Sequence, residues 1–369
     1  MKYGAKWILP IEGDPIENGS IEIKDGKIVK ISRKSNGKVS DLGEGIIMPA
    51  LINSHTHLEM PKIDTVSQSG FMPWLDSFLK SVKAMHKADF QIQLQKNERK
   101  SAENGTCLVC DITNHEDLRY SSAGFSFYEQ IGWDSAPIKE IRSINNIVRC
   151  YAAHAIYSTS PAKIKATYDY NTMRGLPWSI HLAESNDEIE FCSGKGKFID
   201  FWKDAGNLKL IRIPHLTPAL YLDKLGVLGK NSILVHAVHL SEKELDLIAQ
   251  RGSTICVCPR SNEHIGVGKA GINRFLKRGI NVVAGTDSLL SNKDLNMIKE
   301  IEYIVENFGI KPETAIKFAT SNAGIALDRP FGILKEGYCA PILFFEGNAS
   351  DPYEIMFNEK NNSAVRIIS

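Results

Sequence analysis

Five positions in this 369-residue chain form a series suited to holding a divalent cation. His55 and His57 stand two apart in Asn53-Ser54-His55-Thr56-His57, His181 follows an apolar run ending at Ile180, and His236 follows Ile233-Leu234-Val235. Asp287 comes just after Asn281-Val282-Val283-Ala284. Residues i and i+2 of a strand project from one face, so the HxH pair can offer two imidazoles to one ion. Three imidazoles and a carboxylate leave a place for a water whose pKa the ion lowers towards ~7, which is the chemistry of a hydrolase. Glu184, three residues after His181, can stand beside that water and move protons without ligating. A lone HxH is a weak sign and a lone glutamate opens many helices. The ordered series, with every member at a strand end, is the specific one.

These residues need elements that carry them to one place. Short apolar runs at Ile46–Met48, Cys107–Cys110, Phe125–Tyr128, Val148–Ala153, Trp178–Ile180, Ile233–Val235, Thr254–Val257 and Asn281–Ala284 read as eight strands, with intervals long enough for crossover helices. Ser241 and Glu244 form a capping box ahead of Leu245, Ile248 and Ala249, and Gly252 supplies the stop. Asp294–Phe308 reads as a second helix, from the spacing of Leu295, Ile298, Ile301, Ile304, Val305 and Phe308. Alternating strands and helices predict an α/β fold, a (β/α)8 TIM barrel over residues 49–328, whose active site gathers at the C-terminal strand ends. The first 48 residues read as β, with Asp25-Gly26 suited to a type I′ hairpin. Similar texture returns around Glu336-Gly337, between Gly332-Ile333-Leu334 and Ile342–Phe345. Residues 1–48 and 329–369 are therefore expected to form one composite β-sandwich domain.

Composition narrows the function classes. Forty-four basic against 43 acidic residues leave a net charge of +1, which carries no nucleic-acid footprint. A hydrophobic fraction of 43% with 24% charged residues is ordinary for a globular chain. Seven cysteines, several within apolar runs, point to reduced thiols and a cytoplasmic setting. No apolar run approaches the ~18 residues a membrane span needs. A small-molecule substrate is expected, with no nucleic acid and no membrane; the oligomeric state stays open, a homodimer included.

Met48-Pro49-Ala50-Leu51-Ile52-Asn53-Ser54-His55-Thr56-His57, His181-x-x-Glu184, Leu234-Val235-His236, Cys258-Pro259-Arg260-Ser261-Asn262 and Ala284-Gly285-Thr286-Asp287-Ser288 together resemble the amidohydrolase superfamily. The branch is the one that holds guanine, cytosine, adenosine-type and S-adenosylhomocysteine deaminases and the triazine chlorohydrolases. The resemblance implies that His55, His57, His181 and Asp287 bind the metal, that Glu184 is the general acid/base, and that His236 steers the water and supports the oxyanion. Asp287 would accept the water's proton. Binuclear members bridge two ions with a modified lysine at the end of the fourth strand, and Tyr151–Ser158 contains none, so one ion is expected. Zinc and iron(II) both suit three imidazoles and a carboxylate.

The segment His55–Glu59 with Phe71/Trp74-Leu75 looks most like the aminodeoxyfutalosine deaminases of the alternative menaquinone route. Substrate-binding positions are expected at Glu59, Trp74, His154 and Arg260, His154 by its match to a pocket histidine of related deaminases. Trp74 reads equally as a helix residue packed on the barrel, and Arg260 as a structural anchor. His239 rivals His236, while His86, His115 and His215 lie outside the strand-end motifs. Cys107-x-x-Cys110 reads as a buried strand. The expected activity is release of ammonia from an aromatic amidine, the 6-amino group of an adenine-type nucleoside such as aminodeoxyfutalosine, adenosine or S-adenosylhomocysteine. Alternatives are a different ring or leaving group (guanine, cytosine, a chlorinated triazine) or a non-catalytic barrel scaffold.

Overall fold

The computed structural model describes residues 1–33, 39–62, 70–206, 209–357 and 365–368. The chain forms two compact units: Met1–Asn53 with Arg99–Leu108 and Asn296–Ser369, and Ser54–Glu98 with Val109–Leu295.

The first unit is built on a seven-stranded sheet. Its order is Val365–Ile368, Ile342–Glu346, Gly45–Pro49, Lys2–Ile8, Ile16–Lys24 and Lys27–Ser32, with Ser40–Asp41 also pairing Lys2–Ile8. Both chain termini thus enter one sheet, as expected. Asp25 and Gly26 both take positive φ (51° and 69°) between Lys24 and Lys27, the geometry a type I′ turn needs. Ile8, Ile21, Ile28, Ile47, Ile342 and Phe344 make its apolar core.

Ile46–Met48 corrects the sequence reading. This run belongs to the terminal sheet, where Ile47 sits opposite Ile8 and Phe344. The first barrel strand is instead Leu51–His57, which contains both histidines. An apolar run of three residues shows that it is buried but not in which sheet. Gly332-Ile333-Leu334 forms no strand, because the chain turns there before Ile342–Glu346.

The nine-stranded sheet runs Val282–Ala284, Thr254–Val257, Ser232–His236, Trp178–Leu182, Ile147–Ala155, Ala123–Gln130, Thr106–Thr113, Leu51–His57 and Asp287–Ser288. Its two end members are consecutive in the chain, separated by Gly285-Thr286. They are two halves of one eighth strand: one half pairs Thr254–Val257, the other places Asp287 opposite Thr56. The sheet therefore closes on itself, and the fold is the expected (β/α)8 barrel.

The crossovers are less regular than expected. No helix lies between Thr113 and Ala123 or between Gln130 and Ile147. The former stretch is too short for a helical crossover, which needs ~10–12 residues. Glu242–Arg251 has its capping box and left-handed Gly252. The helix expected from Asp294 starts later, at Met297, because the Asn296 side chain caps the Ile298 and Lys299 N–H groups. All seven cysteines carry thiols, five of them buried. No helix among the described residues is long and apolar enough to cross a membrane.

Candidate active site

Closure of the barrel brings the expected ligands together. His55 and His57 project from the same face of their strand with ring centroids 5.1 Å apart. His55 Nε2 and His57 Nε2 each lie 3.5 Å from Asp287 Oδ1. The His181 ring is 4.9 Å from that of His55, and ligand atoms of His55, His181 and His236 fall within 4.8 Å of one another. On His181 and Asp287 the outward-facing atoms are already engaged. His181 Nδ1 bonds the His154 carbonyl at 2.9 Å, while Asp287 Oδ2 accepts from Ser261 (2.7 Å) and Ser291 (2.6 Å). Second partners of this kind fix ring tautomer and carboxylate direction, leaving His181 Nε2 and Asp287 Oδ1 to face inward. The donor set and its bracing fit a four-ligand divalent ion.

The backbone pays for this convergence with strain. His236 (φ 72°), Ala237 (φ 52°), Ala183 (φ 51°) and Asp287 (φ 59°) all leave their strands in the left-handed region, which costs non-glycine residues about 1–2 kcal/mol each. Gly285 is needed for another reason. A Cβ there would stand 2.6 Å from the His55 carbonyl oxygen and 2.7 Å from the His55 Cβ.

Glu184 follows strand Trp178–Leu182, is 6% exposed, and places Oε1 3.6 Å from His236 Nε2. Its N–H donates to Glu188 Oε2 at 3.2 Å, which holds the backbone where the strand gives way to helix Asn186–Cys192. Burial, then the charges of Asp287 and Glu188, push the Glu184 carboxyl well above the usual carboxylate range. His236 Nδ1 meets Asn262 Oδ1 at 2.9 Å. With that carbonyl oxygen as acceptor, Nδ1 carries the proton and Nε2 is left as an acceptor. Burial lowers His55 and His236 to about 4 and His57 to about 3. The imidazoles are therefore neutral and ready to ligate near neutral pH. Asp287 titrates well below its ordinary range: burial opposes this, but the hydrogen bond with His55 and the surrounding imidazoles outweigh it.

A cavity of about 620 Å³, open solvent at its mouth included, lies over these groups. His57, His181, His236, Glu184 and Asp287 line it, together with Met60, Phe71, Trp74, Phe78 and Tyr157. Of the four substrate positions expected from sequence, Trp74 and His154 line this cavity and Glu59 and Arg260 do not. Trp74 is packed on the barrel and also lines the cavity. It packs within helix Phe71–Lys83, donates its indole N–H to the Leu290 carbonyl (3.0 Å), and still presents ring surface to the cavity. His154 Nδ1 is 2.5 Å from Ser158 Oγ.

Glu59 is fully buried and turned towards Asp111, where burial and the Asp111 charge raise its carboxyl well above the ordinary value. Arg260 lies on the short helix Pro259–Ile265 and pairs with Asp294 at 2.8 Å. His239 Nε2 is bonded to the Val267 carbonyl (2.8 Å) and is absent from the cavity wall. Sequence reasoning missed Glu129, Asn114, Ser291 and the tie between Asn262 and His236. Ser261 and Asn262 lay in a quoted motif, but nothing local showed which atoms they would hold.

Comparison with known proteins agrees with this geometry. The chain is 27% identical over 374 residues to a 5-methylthioadenosine/S-adenosylhomocysteine deaminase of Thermococcus sibiricus, covering 92% of this chain and 84% of that protein. Its fold is similar to the aminofutalosine deaminase of Helicobacter pylori solved with methylthio-coformycin, with TM-score 0.83, 20% identity, and coverage of 99% and 97%. An adenosine deaminase from Xanthomonas campestris with bound zinc gives TM-score 0.80 at 20% identity, covering 99% of this chain and 90% of that one. Residues 141–368 match the model of the Amidohydrolase family. A closed barrel, a His-x-His strand and a strand-eight aspartate are thus found in a chain whose larger part carries the family's sequence pattern, and the protein belongs to the amidohydrolase family.

Proposed function

We propose that this protein is a mononuclear metal-dependent deaminase of adenine-type nucleosides, with His55, His57, His181 and Asp287 holding the ion. The observation that carries the reading is Glu184: a buried carboxyl, raised well above the ordinary carboxylate range by burial and by the charges of Asp287 and Glu188, beside the ligand cluster but turned to His236. A departing amine needs a proton, whereas chloride does not, so a carboxyl placed here to carry one favours loss of an amino group. The deaminase relative and the two similar folds support the adenine-type substrate. Zinc is the ion we propose, since it suits this donor set.

When bound, such a cation supplies Lewis acidity that makes water a nucleophile near neutral pH. The remaining work falls to side chains. Glu184 gives its proton to a ring nitrogen as water attacks the amino-bearing carbon, then takes up the adduct's hydroxyl proton and passes it to the amine, which leaves as ammonia as the C=O bond forms; the proton that Asp287 took from the water returns to Glu184 and resets the pair. Asp287 takes the proton of the attacking water. His236, its tautomer set by Asn262, accepts a hydrogen bond from that water at Nε2 and so steers it towards the ring carbon. Trp74, with Phe71 and Phe78, offers aromatic surface to the substrate ring. We also propose that residues 49–328 act as the catalytic barrel, and that 1–48 with 329–369 form the composite domain. Pairing of Gly45–Pro49 with Ile342–Glu346 supports this division.

Ammonia release from a panel of adenosine, 5′-methylthioadenosine, S-adenosylhomocysteine, aminodeoxyfutalosine, guanine, cytosine and a chlorinated triazine tests the reading. Turnover confined to adenine nucleosides is the expected result. Activity on the triazine or on free pyrimidine alone would refute it.

A further inference from the structure

The cavity wall carries a carboxyl that the mechanism does not use. Glu129 ends strand Ala123–Gln130, its side chain is 4% exposed, and it lines the cavity. Asn114 Nδ2 donates to the Glu129 carbonyl at 3.1 Å and approaches Oε2 at 3.4 Å, which braces the side chain. Oε1 has no hydrogen-bond partner, and His181 Nδ1 lies 3.7 Å from it. That nitrogen is already bonded to the His154 carbonyl. A buried carboxyl oxygen without a donor is costly, and the cost is removed when a ligand brings one.

The sheet order says which part of a ligand that is. Counting from Leu51–His57, the reacting groups sit on strands five (Glu184, just past its end), six (His236) and eight (Asp287). Glu129 ends strand three, His154 lies on strand four, and Asn114 directly follows strand two. A ring whose amino-bearing carbon lies at the ligand cluster and whose nitrogen meets Glu184 must extend its remaining atoms over strands two to four. In a nucleoside those atoms are the sugar. A carboxyl facing a ribose finds hydroxyl donors, the same pairing by which an acidic residue holds a ribose hydroxyl in dinucleotide sites.

Resting on the adenine-nucleoside reading above, we propose that Glu129, braced by Asn114, is a specificity-determining residue whose free Oε1 accepts the vicinal hydroxyls of the substrate's ribose.

The test measures kcat/KM for adenosine and for 2′,3′-dideoxyadenosine with wild type, Glu129→Gln and Glu129→Ala, with metal content determined for each. The expected result is that the preference for adenosine over the dideoxy nucleoside falls about 10- to 100-fold in the variants, the range for leaving a buried hydrogen-bonding group without its partner. The isosteric glutamine should move it mainly through KM. Equal slowing of both substrates, with the preference unchanged, would overturn the assignment while leaving the deaminase reading intact. Failure of the wild type to deaminate any adenine nucleoside would overturn both.

Discussion

Replacing Gly285 by alanine should weaken the metal site without altering a ligand. The new Cβ would stand 2.6 Å from the His55 carbonyl oxygen and 2.8 Å from the His55 nitrogen, where ordinary contact begins at 3.4 Å. Both are backbone atoms, so no side chain can swing away. The strand must yield by about 0.6–0.8 Å, more than the ~0.5 Å within which a working constellation has to be held. The pairing of Asp287 with Thr56 and Ser288 with His57 just beyond keeps the two strands from separating freely. We therefore expect about 1–3 kcal/mol of lost stability from overpacking. A loss of about 10- to 100-fold in metal affinity should accompany it, comparable to removal of a residue that orients a ligand. Chelator competition gives the affinity, and thermal unfolding of the metal-free protein gives the stability. Wild-type affinity together with wild-type turnover in Gly285→Ala would refute the packing argument.

Two further predictions concern protons. Glu184→Gln should retain the metal and lose turnover on the order of 10²-fold or more, because the proton donor disappears while the ligands remain; near wild-type rates of ammonia release would remove Glu184 from the mechanism. Metal uptake by the metal-free protein should stay nearly flat from ~pH 8 to ~pH 5 and fall below that, since a ligand binds metal in its neutral form. Burial lowers His55 to about 4 and His57 to about 3, so protons compete later than they would at an exposed histidine. A steep decline beginning near ~6.5, the ordinary histidine value, would contradict the burial argument.

The cluster we propose as metal ligands was legible because its signals are local and periodic. A two-residue spacing on a strand, or a polar residue closing an apolar run, already implies a direction. Glu184 could be read from its distance to His181. The partners that brace these groups lie far along the chain: Asn262 is 26 residues from His236, and Ser261 is 26 from Asp287. No local pattern reports such a pairing. Glu129 was hidden for a related reason, since a glutamate near a strand end reads as solvated until the closed barrel buries it. Glu59 and Arg260 show the reverse: both stand near the motifs, but the turn after His57 buries Glu59 beside Asp111 and Asp294 draws Arg260 aside. Ile46–Met48 misled because the single break at Ala50 separates two strands of different sheets that read as one apolar entry into the barrel.

The account's central claim is that one ion held by His55, His57, His181 and Asp287 makes this chain an adenine-nucleoside deaminase. Its most direct test is to strip the purified protein with a chelator, add zinc in measured equivalents, and follow ammonia release from the best nucleoside of the panel. No activity in the stripped protein is predicted, with recovery that rises linearly and breaks at one ion per chain. Full activity after complete metal removal, or a break at two ions per chain, would contradict it.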